Sequence, residues 1–191
     1  MAGDDMKFSE DVTDQQEVAL IVGGGPGISA SCARLLSQEG MAVAIAARNP
    51  DKPVLTELEK TIAVRSYCCD AADPASVVDL FGAVEKDIGS PKLVVHNIDG
   101  RVPDIFRKEI TEADPELALQ TIKNGAFSAF LVARQAATQM LSRDPDENGL
   151  RGTIIFTNAS AGIKGYPKSG AFAMACHAKT GLAQSLAREL M

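Results

Sequence analysis

The sequence has no tryptophan, only two tyrosines and seven phenylalanines in 191 residues. That argues against an aromatic-rich β-sandwich and leans towards close-packed helices on a sheet. It has four cysteines, Cys32, Cys68, Cys69 and Cys176, and no C-x-x-C pair. The pattern suggests neither a zinc site nor a disulfide framework, and free thiols in a reducing compartment are expected. The longest apolar runs, Val18–Val22 and Met41–Ala47, are far too short to span a bilayer. The acidic beginning of the chain has no apolar core of a secretory signal. These absences imply a soluble, cytoplasmic protein with no membrane partner. A net charge of −6 also argues against a general nucleic-acid binder.

What is present is an ordinary globular balance, 46% hydrophobic and 23% charged residues, enough to bury a sizeable core in one domain. The negative charge is uneven. Asp4, Asp5, Glu10, Asp11, Asp14 and Glu17 face only Lys7 in the first 17 residues, whereas the body is almost neutral. Residues 1–16 are therefore expected to form a disordered acidic tail, and residues 17–191 the folded domain.

Along that domain, strand and helix signals alternate. Val18–Val22, Met41–Ala46, Ala63–Cys68, Lys92–His96 and Thr153–Thr157 read as short buried strands. Between them lie helical stretches ending at Gly40, Ile62 and Gly89. Asp73-Pro74 supplies an N-cap and a first-position proline. A long helical periodicity runs from Pro115 to about Leu141, and a last helix from Ala171 to Leu190. The alternation predicts an α/β fold, a Rossmann-like doubly wound parallel sheet flanked by helices, with right-handed crossovers. Ligands of such sheets bind beyond the carboxyl ends of the strands.

The loop after the first strand reads Gly23-Gly24-Gly25-Pro26-Gly27-Ile28-Ser29. Gly23, Gly24 and Gly25 allow positive φ and close approach of a ligand, and the helix starting near Gly27 offers free N–H groups and a positive dipole end. A dinucleotide pyrophosphate is the expected ligand of Gly23, Gly25, Gly27 and Ile28. A tight turn without a ligand is the alternative. At the end of the second strand, where an acidic residue would bind a ribose 2′-hydroxyl, stands Arg48. A guanidinium there pairs with a 2′-phosphate, so NADP(H) is expected over NAD(H). The alternative is a solvated surface arginine.

With ALIVGGGPGIS, CDAAD, VVHNIDG, GTIIFTNASAG and GLAQSLAREL, residues 17–191 resemble a short-chain dehydrogenase/reductase. The resemblance implies an oxidoreductase acting on a carbonyl or alcohol. Asp70 matches the residue that bonds the adenine amino group, and Asn97 the one bordering the adenosine ribose. Ser29 replaces the last glycine of the family's loop and adds bulk where helix meets strand. The family's catalytic serine, tyrosine and lysine fall on Ala159, Phe172 and Cys176, and its helix asparagine near Gly125, with Asn124 one place off. The usual proton chemistry therefore cannot run as drawn, and the catalytic residues are unknown. Ser160, His177 and Lys179 are neighbours, but Lys179 lies two helical turns beyond Phe172, roughly 10 Å away, too far to replace the missing groups directly. Packing or solvation is the ordinary reading of each. A catalytically silent nucleotide-binding protein and a truncated chain of an active enzyme are the competing readings. Five strands also fall short of a full two-halved dinucleotide fold, so the C-terminal half is expected to be short. The family's habits and the Ala- and Leu-rich helices at 115–141 and 171–190 imply a homodimer or homotetramer acting on a small-molecule substrate.

Overall fold

A computed structural model describes residues 16–191. The expected acidic tail thus lies outside the described residues, Gln16 excepted. Five strands, β1 (Val18–Val22), β2 (Ala42–Ala47), β3 (Val64–Cys68), β4 (Leu93–His96) and β5 (Thr153–Phe156), form one sheet in the order β3-β2-β1-β4-β5. Every pairing is parallel. The order reverses between β1 and β4, and that switch point is where a doubly wound sheet opens a crevice.

The sheet is buried from both sides at its centre. On β1, Val18, Leu20 and Val22 join a core containing Phe81, Leu80, Val84 and Val132 from the helices on one face. Ile21 joins Ala30, Leu55 and Leu58 on the other. This explains why β1 and β2 are continuous apolar runs without alternation. Helices α1 (Ile28–Gln38) and α2 (Pro53–Thr61) supply the second core, whereas α3 (Pro74–Ile88) and α5 (Ser128–Leu141) supply the first. The caps follow the sequence. Asp73 accepts a hydrogen bond from the Ser76 N–H at the start of α3, and Gly89 leaves it at φ 108°.

The long helix expected over 115–141 is interrupted. α4 (Pro115–Ile122) passes through a π-helical turn at Lys123–Phe127 before α5. Gly125 sits in that turn, and Gly100 approaches it so closely that a Cβ on Gly100 would lie 2.7 Å from the Gly125 Cα. The extra residue in the turn brings backbone rather than side chain against the β4 loop, and π-turns of this kind cluster at functional sites. The final helix α6 (Gly170–Glu189) buries Ala175, Cys176 and Lys179. β5 is one of the two edge strands, and Ile155 on it is 45% exposed.

Candidate nucleotide-binding cleft

The loops after β1, β2, β3 and β4 surround a cleft with two adjoining lobes of about 270 and 660 Å³. Both share Gly23, Asn97, Ile98, Asp99 and Arg101. The smaller lobe is lined by Arg48, Lys52 and Asp70, and the larger by Gly25, Gly27, Phe172, Cys176 and Lys179.

The glycine loop does not behave uniformly. Only Gly23 has positive φ (112°), and a Cβ there would lie 2.2 Å from the Asn97 carbonyl oxygen. The expectation of left-handed backbone at Gly24 and Gly25 is therefore corrected. Gly24 makes room for Leu55, 3.1 Å from where its Cβ would stand. At Gly25 and Gly27 a Cβ would meet nothing within 4 Å among the described residues. Gly27 caps α1 without any side-chain hydrogen bond, so the first N–H groups of that helix, beginning at Ile28, remain available to an anion. The loop and helix end fit a pyrophosphate.

Ser29, the departure from the family glycine, is 1% exposed and builds a strap across the floor of the cleft. Its hydroxyl donates to the Gly23 carbonyl (2.6 Å) and accepts from the Asn97 Nδ2 (2.6 Å). Asn97 Oδ1 in turn accepts from the Thr157 hydroxyl (2.8 Å), and the Asn97 N–H bonds to Val22 O. The strap ties β5, β4, the glycine loop and α1 together, so Asn97 orders the floor through its side chain. Asp70 is held in a local turn, one carboxylate oxygen accepting from the Ala72 N–H (3.0 Å), and it lines the smaller lobe. Arg48 is exposed beside it, and its guanidinium has no partner among the described residues. Lys52 was not singled out from sequence. It donates to the Gly24 carbonyl at 3.0 Å from the start of α2, adding a second cation to this lobe.

The three positions on which the resemblance puts the family's catalytic residues come together: Ala159, Phe172 and Cys176 all line the larger lobe. Asn124 lines the smaller lobe, and its side chain accepts from Gln120. Burial pushes the Cys176 thiol up from its ordinary value, against the pull of Lys179. His177 is exposed, its Nδ1 beside the Ala173 carbonyl, and Ser160 is exposed outside the cleft lining, so neither enters the site.

Lys179 behaves differently from a solvated residue. It is 4% exposed. Its Nζ reaches the cleft floor, donating to the carbonyls of Ile98 (3.1 Å) and Thr157 (3.2 Å). Burial holds its ammonium below the usual lysine range. Seven residues of helical separation hid this reach, because the distance from Phe172 counts along the helix axis and leaves out the length of the lysine stem, whose end meets the floor at Ile98 and Thr157.

Beneath the floor, His96 is fully buried. Its Nε2 lies 2.9 Å from the Ser128 hydroxyl, which itself donates to the Asn124 carbonyl. The hydroxyl proton being used, Nε2 must carry the imidazole proton, leaving Nδ1 an unpartnered acceptor. Burial, reinforced by the charge of Lys179, lowers the His96 pKa to about 3. No group of three or more metal-ligating side chains occurs among the described residues, and no described helix is long and apolar enough to cross a membrane.

Comparison with known proteins agrees with this geometry. Residues 23–191 match the family described as enoyl-(acyl carrier protein) reductase. The 3-oxoacyl-[acyl-carrier-protein] reductase MabA of Mycobacterium tuberculosis is 30% identical over 172 residues, covering 90% of this chain and 62% of its own length. The ipsdienol dehydrogenase of Ips pini is 26% identical over 92% of this chain and 69% of its own. A variant of actinorhodin polyketide ketoreductase solved with NADPH superimposes with a TM-score of 0.82 at 26% identity, over 93% of this chain and 66% of that one. This chain thus spans about two thirds of the length of these relatives. With its parallel sheet, its glycine loop at the switch point and this match over most of its length, the chain belongs to the short-chain dehydrogenase/reductase family of NAD(P)-dependent oxidoreductases.

Proposed function

We propose that the chain binds NADP(H) in preference to NAD(H) and carries out a reductase or dehydrogenase reaction on a small carbonyl or alcohol substrate. The observation that carries the cofactor reading is the smaller lobe. Arg48 and Lys52 stand there with no carboxylate at the end of β2, and the Arg48 guanidinium is unpaired among the described residues. A 2′-phosphate would meet two cations, one of them able to pair with it through two N–H groups. Gly23, Gly25, Gly27 and Ile28 would receive the pyrophosphate, with Asp70 towards the adenine. Similar solved proteins hold either nucleotide, NADPH in the actinorhodin ketoreductase and NAD+ in a xylitol dehydrogenase, so the preference rests on the smaller lobe.

A nicotinamide bound in the larger lobe supplies the hydride chemistry. The protein's part is to hold the reacting groups against the floor formed by Lys179, Asn97 and Thr157 and to exclude water with Phe172. Lys179, its ammonium already lowered by burial, is the nearest protonated group on that floor. Ala159 and Phe172 offer no proton, which favours a second reading, a nucleotide-binding protein without turnover. We propose further that the exposed Leu119, Phe127 and Phe130 on α4, the π-turn and α5 are covered by a second copy of the chain in a homodimer or homotetramer. The four unpaired cysteines support a cytoplasmic setting.

Fluorescence titration with NADPH and NADH tests the cofactor reading. NADPH is expected to bind at least tenfold more tightly, and Arg48→Asp to abolish that preference. An Arg48→Asp protein that kept it would refute the specificity argument, and binding of neither nucleotide would refute the function. Oxidation of NADPH against a carbonyl panel decides turnover, and tight binding with none favours the second reading.

A further inference from the structure

Arg101 stands at the junction of the cleft and a narrow hollow beyond it, lining both. It is held from three directions. Asp99 grips its Nε with both carboxylate oxygens at 2.7 Å. Phe106 and Phe172 lie under its guanidinium, with ring centroids 4.9 and 5.1 Å from the central carbon. These contacts use the Nε and the π-faces of the group and leave the fork free: neither Nη has an acceptor among the described residues. A planar guanidinium fixed in this way loses little freedom when it closes on a carboxylate, which its two parallel N–H groups match.

The charge around it leans positive. Asp99 pairs with Arg101 and also attracts Lys179 from a distance, but Lys179 is buried with only neutral carbonyls as direct partners, and among the described residues no carboxylate is within ion-pair distance of it. One carboxylate shared between two cations leaves a buried ammonium incompletely compensated, and a bound anion relieves it. Arg101, Lys108 and Lys168 also line the hollow beside Ile105, Ile110 and Phe172, Lys168 being paired with Glu109 at 2.9 Å just outside its walls.

We propose that this site takes a substrate bearing a carboxylate close to its reacting carbonyl, with Arg101 receiving the carboxylate and Phe172 the apolar body. The inference rests on reading the cleft as a carbonyl-reducing site and names the substrate class of that site. The residue at the family's tyrosine position thereby has a task of its own, as the platform that holds Arg101.

Benzoylformate and its methyl ester are the probes, and their binding to the native protein, Arg101→Gln and Arg101→Lys is measured by calorimetry with and without saturating NADP+. The acid is expected to bind native protein at least tenfold more tightly than the ester. Arg101→Gln should lose that advantage with ester binding unchanged, and Arg101→Lys should keep part of it. Equal affinities for acid and ester in the native protein overturn the proposal, as does an equal loss of both in Arg101→Gln. A loss of NADP+ binding in Arg101→Gln also overturns it, because the fork would then serve a phosphate of the nucleotide. Failure of the native protein to bind NADP+ would sink the cofactor reading alone, since the acid-against-ester comparison on nucleotide-free protein still decides the role of Arg101.

Discussion

Ser29→Ala isolates the strap that holds the cleft floor. Ser29 is 1% exposed, so its hydroxyl exchanges water for protein partners on folding. The substitution removes two hydrogen bonds of 2.6 Å, one donated to Gly23 O and one accepted from Asn97 Nδ2. A net contribution of about 0.5–1.5 kcal/mol for each gives a loss of about 1–3 kcal/mol. Asn97 is half-buried and faces the cleft, so water can reach its freed N–H and the expected loss is about 2 kcal/mol. For a chain of this size that lowers Tm by roughly 4–8 °C. Alanine is a better helix former than serine and returns a few tenths of a kcal/mol at the start of α1. Urea denaturation of the native protein, Ser29→Ala, Thr157→Val and the double variant measures the effect and the coupling. Both side chains bond to Asn97, so the two losses should be non-additive by more than about 0.5 kcal/mol. A Ser29→Ala loss below about 0.5 kcal/mol, or strict additivity with Thr157→Val, would refute the strap as a connected unit.

Further consequences can be measured with the same equipment. Gly100→Ala places a Cβ 2.7 Å from the Gly125 Cα at a backbone φ of 77°. Left-handed strain of roughly 1–2 kcal/mol and overpacking of about 1–3 kcal/mol should together destabilise the protein by about 2–5 kcal/mol, read from the urea midpoint. His96, pKa about 3 in the folded protein against 6.5 in the unfolded chain, stays neutral when folded while the unfolded chain takes up a proton. Its contribution is complete above pH 6.5 and is lost as pH falls towards 3, with a slope approaching about 1.4 kcal/mol per pH unit. Urea midpoints at pH 7, 6 and 5 should fall more steeply for the native protein than for His96→Leu, in which Ser128 keeps its bond to Asn124. Parallel slopes would count against a neutral His96.

The five strands were legible because buried parallel strands are continuous apolar runs, and Val18–Val22 needed no adjustment. The position of the cleft beyond the carboxyl ends of the strands was legible in the alternation of strands and helices and in the glycine loop, whereas the strand order was not. The π-turn was not legible. The periodicity from 115 to 141 continues through it, and the close approach of Gly100 to Gly125 that accompanies it is a contact between residues 25 apart in sequence. Lys52 and Arg101 were missed for a similar reason. Each lies in a polar stretch that reads as solvated, and only the fold turns Lys52 onto Gly24 and stacks Arg101 on Phe172. Ser29 was legible as a departure, but its partners were not, because Asn97 lies 68 residues away.

The nucleotide-facing backbone and the three positions on which the resemblance puts the catalytic residues share the larger lobe but are held by different contacts. The nucleotide-facing surfaces depend on backbone: Gly23 under Asn97, the uncapped end of α1, and the strap through Ser29. The hydrogen bonds of the strap run between Gly23, Ser29, Asn97 and Thr157 and use no side chain of Ala159, Phe172 or Cys176, so a change at those positions leaves the strap intact. The reverse does not hold. Phe172 packs against Arg101, and Lys179 charges the floor from the same helix, so a phenol restored at position 172 would enter a site whose cations are already arranged without it. Phe172→Tyr alone should therefore leave carbonyl turnover within about threefold of the native protein, measured as NADPH oxidation. A gain of tenfold or more would mean that the missing phenol, rather than the rearranged cations, limits the chemistry.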